Sequence, residues 1–272
     1  MSMGFLRRLF GGAESLEQGM TLNVNYFTRT RDDASVEVVG EAYRQDLIGM
    51  ARSPGASDLP QGMPPPPTGY YKAALVPEPT NEHDPDAIRA LLWAGRTWAL
   101  AGYLARTDAA AYQPVFRWLA AHGTSSAPAI VCDAAIKSER GGAGVVLHLG
   151  TPGECIVELV TDDLPQRPHA WIGNRIVFTG DSANTIYGAS LDRPAQLMLA
   201  RWAGCDVLPR LTRKTDLLVV ADSYNPTANL QNAKDYGVPI IEEPAFLAAI
   251  GIPPELVSRG STRWASGAST RR

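Results

Sequence analysis

The apolar positions fall into two different rhythms along the chain. In the first half they come as short runs and alternations. "SVEVVGEAY" (35–43) alternates apolar and polar residues, the period of a half-buried strand. "YYKAALVPEP" and "DAIRALLWAGRTWALAGYL" are strand-like runs with a turn at Ala94-Gly95. "RTDAAAYQPVFRWLAAHG" (106–123) predicts a helix with Thr107 or Asp108 as N-cap and Gly123 at its end. Pro114 is expected to split a short first turn from the main helix. "APAIVCDAAIKSE" and "AGVVLHLG" predict two closing strands joined through Gly141-Gly142. Strands dominate, so the expectation for this half is a mostly-β small barrel with a helix or two.

After residue 172 strands and helices alternate instead. Strand 175–179 precedes a helix over 193–204, with Pro194 at its first turn and Gly204 at its end. "CDVLP" reads as a second strand and "TDLLVVAD" (215–222) as a third, apolar enough to be central in a parallel sheet. "PTANLQNAKDYG" (226–237), "VPIIEE" and "EPAFLAAIG" then predict helix, strand and helix. That order predicts a three-layer α/β domain with a parallel four-stranded sheet.

Between and around these patterns lie breakers. "SPGASDLPQGMPPPPTG" (53–69) has six prolines and three glycines and predicts an exposed loop or insertion. Residues 151–172 are mixed and acidic, with two prolines in "DDLPQRPHA", and are expected to be a linker. Residues 1–20 read as a loose arm, 21–150 and 173–250 as the two domains, and 251–272 as a disordered basic tail.

Length and composition support two cored domains: 272 residues, 45% hydrophobic. The net charge of -3 supplies no global basic field. Residues 35–150 hold nine Lys/Arg against eleven Asp/Glu, and residues 172–250 seven against eight, so any nucleic-acid contact in the folded parts must be local. Residues 251–272 hold four Arg and one Glu. Cys132, Cys155 and Cys205 lack CxxC spacing, which argues against a disulfide framework or a zinc site and suits a reducing, cytoplasmic setting. "MSMGFLRRLFGG" lacks the apolar core of a signal peptide, and no run approaches a membrane span.

The candidate chemistry begins at "RIVFTG" (175–180). A Thr hydroxyl and a Gly amide at the tip of a parallel strand can hold a phosphate, because Gly180 lets an oxygen approach closely. The same residues can also be only a turn. Arg193 stands at the start of the following helix, where the helix dipole would assist it.

"RIVFTG", Gly204 before "CDVLP", "RKTDLLVVAD" (213–222), "NAKDYGVPIIEEPAF" (232–246) and the closing helix together resemble the BRCT family. The resemblance covers about residues 170–250. It is nearest to the kind found in bacterial NAD-dependent DNA ligases and in the large subunit of replication factor C. It implies a phosphate pocket at Thr179 and Gly180, with Arg193 on a DNA 5'-phosphate. Two features depart from it. "DSANTIYGASLD" lengthens the spacing to Arg193, and Asn229, followed by Asn232, stands where such pockets carry lysine. Asn229, which can hydrogen-bond a phosphate without supplying charge, and Lys214, near in sequence, complete the phosphate-binding candidates.

"VEVVGEAYRQD" (36–46), "LVPEPTNEHDPDAIRALL" (75–92) and "LAGYLARTDAAAYQPVFRWL" (100–119) resemble the HIRAN domain, a small OB-like barrel that in fork-remodelling translocases grips the 3'-hydroxyl end of single-stranded DNA. The resemblance implies Tyr43 as the base-stacking aromatic and Asp84 as acceptor of the 3'-hydroxyl. Tyr103 and Arg106 become DNA contacts, with Arg106 on phosphate. Asn81 is expected to order the loop, and Arg44 to replace the arginine missing from the "AYR" run. Without the resemblance, Asn81 and Asp84 read equally as an Asx turn, and the tyrosines as barrel packing.

No catalytic motif accompanies these. His83, His122, His148 and His169 have no metal-ligand spacing, and P-loop, HExxH and GxSxG patterns are lacking. Cys155 in "GECIVEL" reads as a buried strand cysteine. The expectation is a non-catalytic, cofactor-free and metal-free DNA-end binder of repair or replication. The alternatives are an adaptor whose BRCT-like half docks a repair or replication protein, and a nuclease accessory or degenerate enzyme.

Overall fold

The computed structural model describes residues 24–27, 35–40, 44–51, 59, 66–95, 97–123, 128–139, 142–164, 169–221 and 228–260. The chain divides into two compact units, Met1–Gly150 and Thr151–Arg272.

The first unit runs β1 (Val24–Phe27), β2 (Ser35–Val39), α1 (Gln45–Ala51), β3 (Tyr71–Pro77), β4 (Ile88–Trp93), β5 (Trp98–Leu104), α2 (Arg106–His122), β6 (Ala129–Glu139) and β7 (Gly142–His148). Strands β6, β3, β4, β5, β2 and β7 pair antiparallel in that order, and β7 returns to β6. The sheet therefore closes into a six-stranded barrel, which removes its free edges. β1 adds to β6 in parallel. Five consecutive residues of β3, Lys72 to Val76, are buried, so both faces of that strand are covered. One face carries Ala74, Val76, Leu91, Trp98, Ala129 and Val131, with Leu59, Trp93 and Leu100 against them. On the register of β3 and β6, Lys72 faces Asp133, and their side chains form a 2.5 Å ion pair at 6% and 5% exposure.

Two expectations for this unit change. Helix α2 begins at Ala105, which serves as N-cap, so neither Thr107 nor Asp108 caps it, and it runs unbroken through Pro114. Tyr112, Pro114, Val115, Phe116, Trp118 and Leu119 are all buried. Apolar burial on both sides of the proline outweighs its one missing hydrogen bond. The proline-rich segment is not simply exposed, because Leu59 packs on the barrel cluster. Residues 66–70 lead into β3 through a turn closed by Tyr70 N–H on Pro67 O; most of the remainder lies outside the described residues.

The second unit opens with a helix where a linker is expected. α3 (Pro152–Asp163) starts at a capping box: Thr151 Oγ accepts from Glu154 N, and the Glu154 carboxylate accepts from Thr151 N. Cys155 lies on this helix, not on a strand, and is buried with Ile156, Val157 and Val160. α3 packs against α4 (Arg193–Trp202) and the hairpin β9–β10 (Asn184–Ile186, Ala189–Ser190). At Gly153 the fit is so close that a Cβ would lie 2.2 Å from Ser190 O.

The central sheet has the order β11 (Asp206–Val207), β8 (Arg175–Thr179), β12 (Leu217–Val220), β13 (Ile240–Glu242), all parallel. Alternation along the strands builds three layers. Val177, Leu218 and Val220 pack on α5 (Ala228–Tyr236) through Ala233 and Leu230. On the opposite face Phe178 meets Phe246 of α6 (Glu243–Ala249), which in turn meets Trp171. A further strand, β14 (Val257–Arg259), pairs with β9, giving a small antiparallel sheet β10-β9-β14. The expected disordered tail is therefore ordered as far as residue 260; residues 261–272, and the expected arm 1–20, lie outside the described residues. Among the described residues no helix is long and apolar enough to cross a membrane.

Candidate functional site

In the barrel unit, the loop 78–87 between β3 and β4 is held by its own side chains. Asn81 Oδ1 accepts from His83 N at 3.0 Å and Asp84 N at 3.2 Å, while Asn81 Nδ2 donates to Glu78 Oε2 at 2.7 Å. Asp84 Oδ1 accepts from Asp86 N at 3.1 Å, an Asx turn. Helix α2 grips this loop at two points one heptad apart on the same helical face. Arg106 Nε donates to Asp84 Oδ2 at 3.0 Å, and Gln113 Nε2 donates to Asp86 O at 2.9 Å. Asp84 and Arg106, distant in sequence, are thus a contacting pair.

Tyr103 sits on β5 opposite Arg89 of β4 and Val39 of β2. Burial raises its hydroxyl pKa above the ordinary tyrosine range; the neighbouring Glu78 charge and the hydrogen bond to Glu78 push the same way, and Arg89 and Arg44 pull against them. Arg44 therefore lies close enough to Tyr103 for its charge to be felt. The glycine preceding Tyr103 has a packing role: a Cβ on Gly102 would come within 2.3 Å of Val39 O, so β2 could not lie against β5. Tyr43 lies outside the described residues. Glu78 and Arg89, 4.0 Å apart and both mostly buried, were not among the sequence candidates. Their signal is weak: a carboxylate ending an apolar strand and an arginine inside the next, directly before and after the N-x-x-D loop.

In the second unit the candidate residues gather at the carboxyl end of β8, the end at which open α/β sheets bind ligands. Gly180 follows the strand with φ +80°, a backbone that favours glycine. Arg193 Nη2 donates to Gly180 O at 2.6 Å, and its guanidinium lies over the Phe178 ring at 5.8 Å. Arg193 Nη1 is buried without a hydrogen-bond partner among the described residues. From the other face of the sheet, Asn229 Nδ2 reaches Thr179 Oγ1 at 3.4 Å. Arg193 thus reaches Gly180 and Asn229 reaches Thr179, at two adjacent residues of the strand tip and from opposite faces.

Lys214 does not join them. Its backbone N donates to Thr212 Oγ1, in the turn before β12. Parallel pairing sets Leu217 against Ile176 and Val220 against Thr179, so Lys214 lies at the amino end of the sheet, about 10 Å or more of strand from Thr179. The start of α4 is also less open to an anion than its dipole implies. Asp192 caps it, accepting from Ala195 N at 3.0 Å, and Pro194 has no N–H to offer.

A buried hub supports this end of the sheet. Glu243, the first residue of α6, is 0% exposed. Its carboxylate accepts from Ser182 Oγ, from Asn184 Nδ2 at 2.6 Å and from Gln196 Nε2. Ser182 Oγ in turn accepts from Asn184 N at 3.0 Å. The hub fixes the loop after Gly180 to the helix that carries Arg193. Sequence reasoning missed it, although Glu243 shares the buried i, i+3, i+4 face of Phe246 and Leu247, where a carboxylate needs partners. Among the described residues no group of three or more His, Cys, Asp or Glu could hold a metal ion. A scan of the chain against protein-family models and a search of curated proteins both return no match.

Proposed function

We propose that the chain is a non-catalytic DNA-end-binding protein of repair or replication. Its barrel unit, resembling HIRAN, would take the 3'-ended single strand, and its α/β unit, resembling BRCT, the 5'-phosphate. The observation that carries this reading is the placing of Arg193 against Gly180, and of Asn229 against Thr179, at the carboxyl end of β8. A hydroxyl, a left-handed glycine and a guanidinium with donors to spare are the groups a phosphate monoester needs. In the barrel unit the reading is supported by the contact of Arg106 with Asp84 and by Arg44 lying near enough to Tyr103 for its charge to be felt. Both sites are small and local, in keeping with a chain whose net charge is -3.

The test is fluorescence anisotropy with four matched oligonucleotides, carrying 3'-hydroxyl or 3'-phosphate and 5'-phosphate or 5'-hydroxyl. The expected result is tighter binding to the 5'-phosphate that Arg193→Ala abolishes, and single-strand binding that Arg106→Ala weakens. Equal affinity for both 5' ends would remove the second unit from DNA recognition. It would leave that unit the docking role of an adaptor.

A further inference from the structure

The geometry points to Asp84 as the positioning residue for Arg106, rather than as the acceptor of a terminal hydroxyl. This rests on the DNA-binding reading of the barrel unit. Both Asp84 oxygens are engaged: Oδ1 holds Asp86 N and Oδ2 holds Arg106 Nε. The carboxylate is 25% exposed, whereas the Arg106 side chain is 79% exposed. Arg106 spends one donor, Nε, on this contact. Its two terminal nitrogens make no hydrogen bond among the described residues. A guanidinium pinned through Nε presents its Nη1–Nη2 edge as a flat fork, which matches two oxygens of one phosphate. The pin is itself anchored, because Gln113 holds Asp86 O from the same face of α2.

An exposed pair of this kind contributes little to stability. What it does is restrict the rotamers of a long side chain before a ligand arrives, lowering the ordering cost of binding. The ligand class is a backbone or terminal phosphate of single-stranded DNA. With Asp84 acting on Arg106 and on its own turn rather than on the sugar, the site is expected to be indifferent to whether the 3' end carries hydroxyl or phosphate.

The experiment is a double-mutant cycle on the full chain, read by anisotropy with 3'-hydroxyl and 3'-phosphate oligonucleotides over a salt series. Asp84→Asn keeps an oxygen for the Asx turn but weakens the pin. It is expected to lower affinity about fivefold for both oligonucleotides, and Arg106→Ala about tenfold. The double variant is expected to be no weaker than Arg106→Ala alone. Arg106→Lys, which leaves the loop's own hydrogen bonds in place, keeps the charge and the salt slope but offers no pinned fork, and is expected to match Asp84→Asn. A loss confined to the 3'-hydroxyl oligonucleotide, additive with Arg106→Ala, would make Asp84 the hydroxyl acceptor and overturn the inference. So would Arg106→Lys binding as tightly as the unaltered chain. If the unaltered chain binds neither oligonucleotide, the parent reading fails first and the inference falls with it.

Discussion

Asn229 donates to Thr179 Oγ1 across the carboxyl end of the parallel sheet, at 3.4 Å. That is a long contact between two neutral groups, contributing little. The position is therefore open to a charged replacement. Asn229→Lys is expected to raise affinity for a 5'-phosphorylated over a 5'-hydroxyl oligonucleotide by about five- to tenfold, through a charge-assisted hydrogen bond. Asn229→Ala is expected to change it by less than about twofold. The check is the ratio of affinities for the two 5' ends, which cancels general electrostatic gain. A lysine that tightens both ends equally would place position 229 outside any phosphate site.

The ion pair between Lys72 and Asp133 lies inside the barrel unit, opposite in register and almost fully buried. Removing one partner leaves the other charge buried. Lys72→Met is expected to destabilise the unit by about 3–5 kcal/mol, and adding Asp133→Leu to restore much of that loss. Urea unfolding of the three proteins measures both steps. Equal destabilisation in the single and double variants would mean that the pair contributes through packing rather than charge.

Helix α3 is the clearest case of a boundary set by packing. Four of its apolar side chains, Cys155, Ile156, Val157 and Val160, are buried. At about 1.5–3 kcal/mol for a fully buried aliphatic side chain, their loss is comparable with the whole stability of a small domain. A fragment of residues 151–260 is expected to unfold cooperatively, and one of residues 173–260 to lack a cooperative transition by circular dichroism. In the full chain, Gly153→Ala is expected to cost about 1–3 kcal/mol, since the obstructing atom, Ser190 O, is backbone.

The legible parts of the molecule are those whose signals are local. The strands β3 to β7 and the α4–β12–α5–β13–α6 run follow from alternation, apolar runs and Gly or Pro punctuation. The capping box Thr151–Glu154 was also local, but the two prolines downstream masked it. What stayed hidden depends on partners far along the chain. The hairpin turn at Tyr187-Gly188, both with positive φ, joins strands too short to read alone, and β9 is completed by β14 some seventy residues later. The same holds at the sites. Residues at strand tips and helix starts could be named from sequence. The residues that hold them, Glu78 and Glu243, could not, because their partners come from other elements.

At the amino end of the sheet, opposite the candidate pocket, Arg175 and Asp216 clamp β8 to β12. Asp216 Oδ2 accepts from Arg175 N at 2.8 Å and Nε at 3.0 Å, and Oδ1 from Nη2 at 2.9 Å. The Arg175 side-chain hydrogen bond, then its backbone N–H, lower the Asp216 pKa from 3.8 to about 2. A carboxylate with a folded pKa below its unfolded one stabilises the fold above the unfolded value. That contribution is lost as pH falls through the folded value. The window is therefore about pH 4 down to about pH 2. Both side chains are about two-fifths exposed, so solvent screens the pair and its size is set by measurement. Asp216→Asn is expected to be less stable than the unaltered chain at pH 5–7 by a constant amount, and the gap to close progressively below about pH 4. Denaturant titrations of both proteins from pH 6 to pH 3 follow it. A gap that stays constant or widens on acidification would mean that the clamp acts through its hydrogen-bond geometry and not through the Asp216 charge.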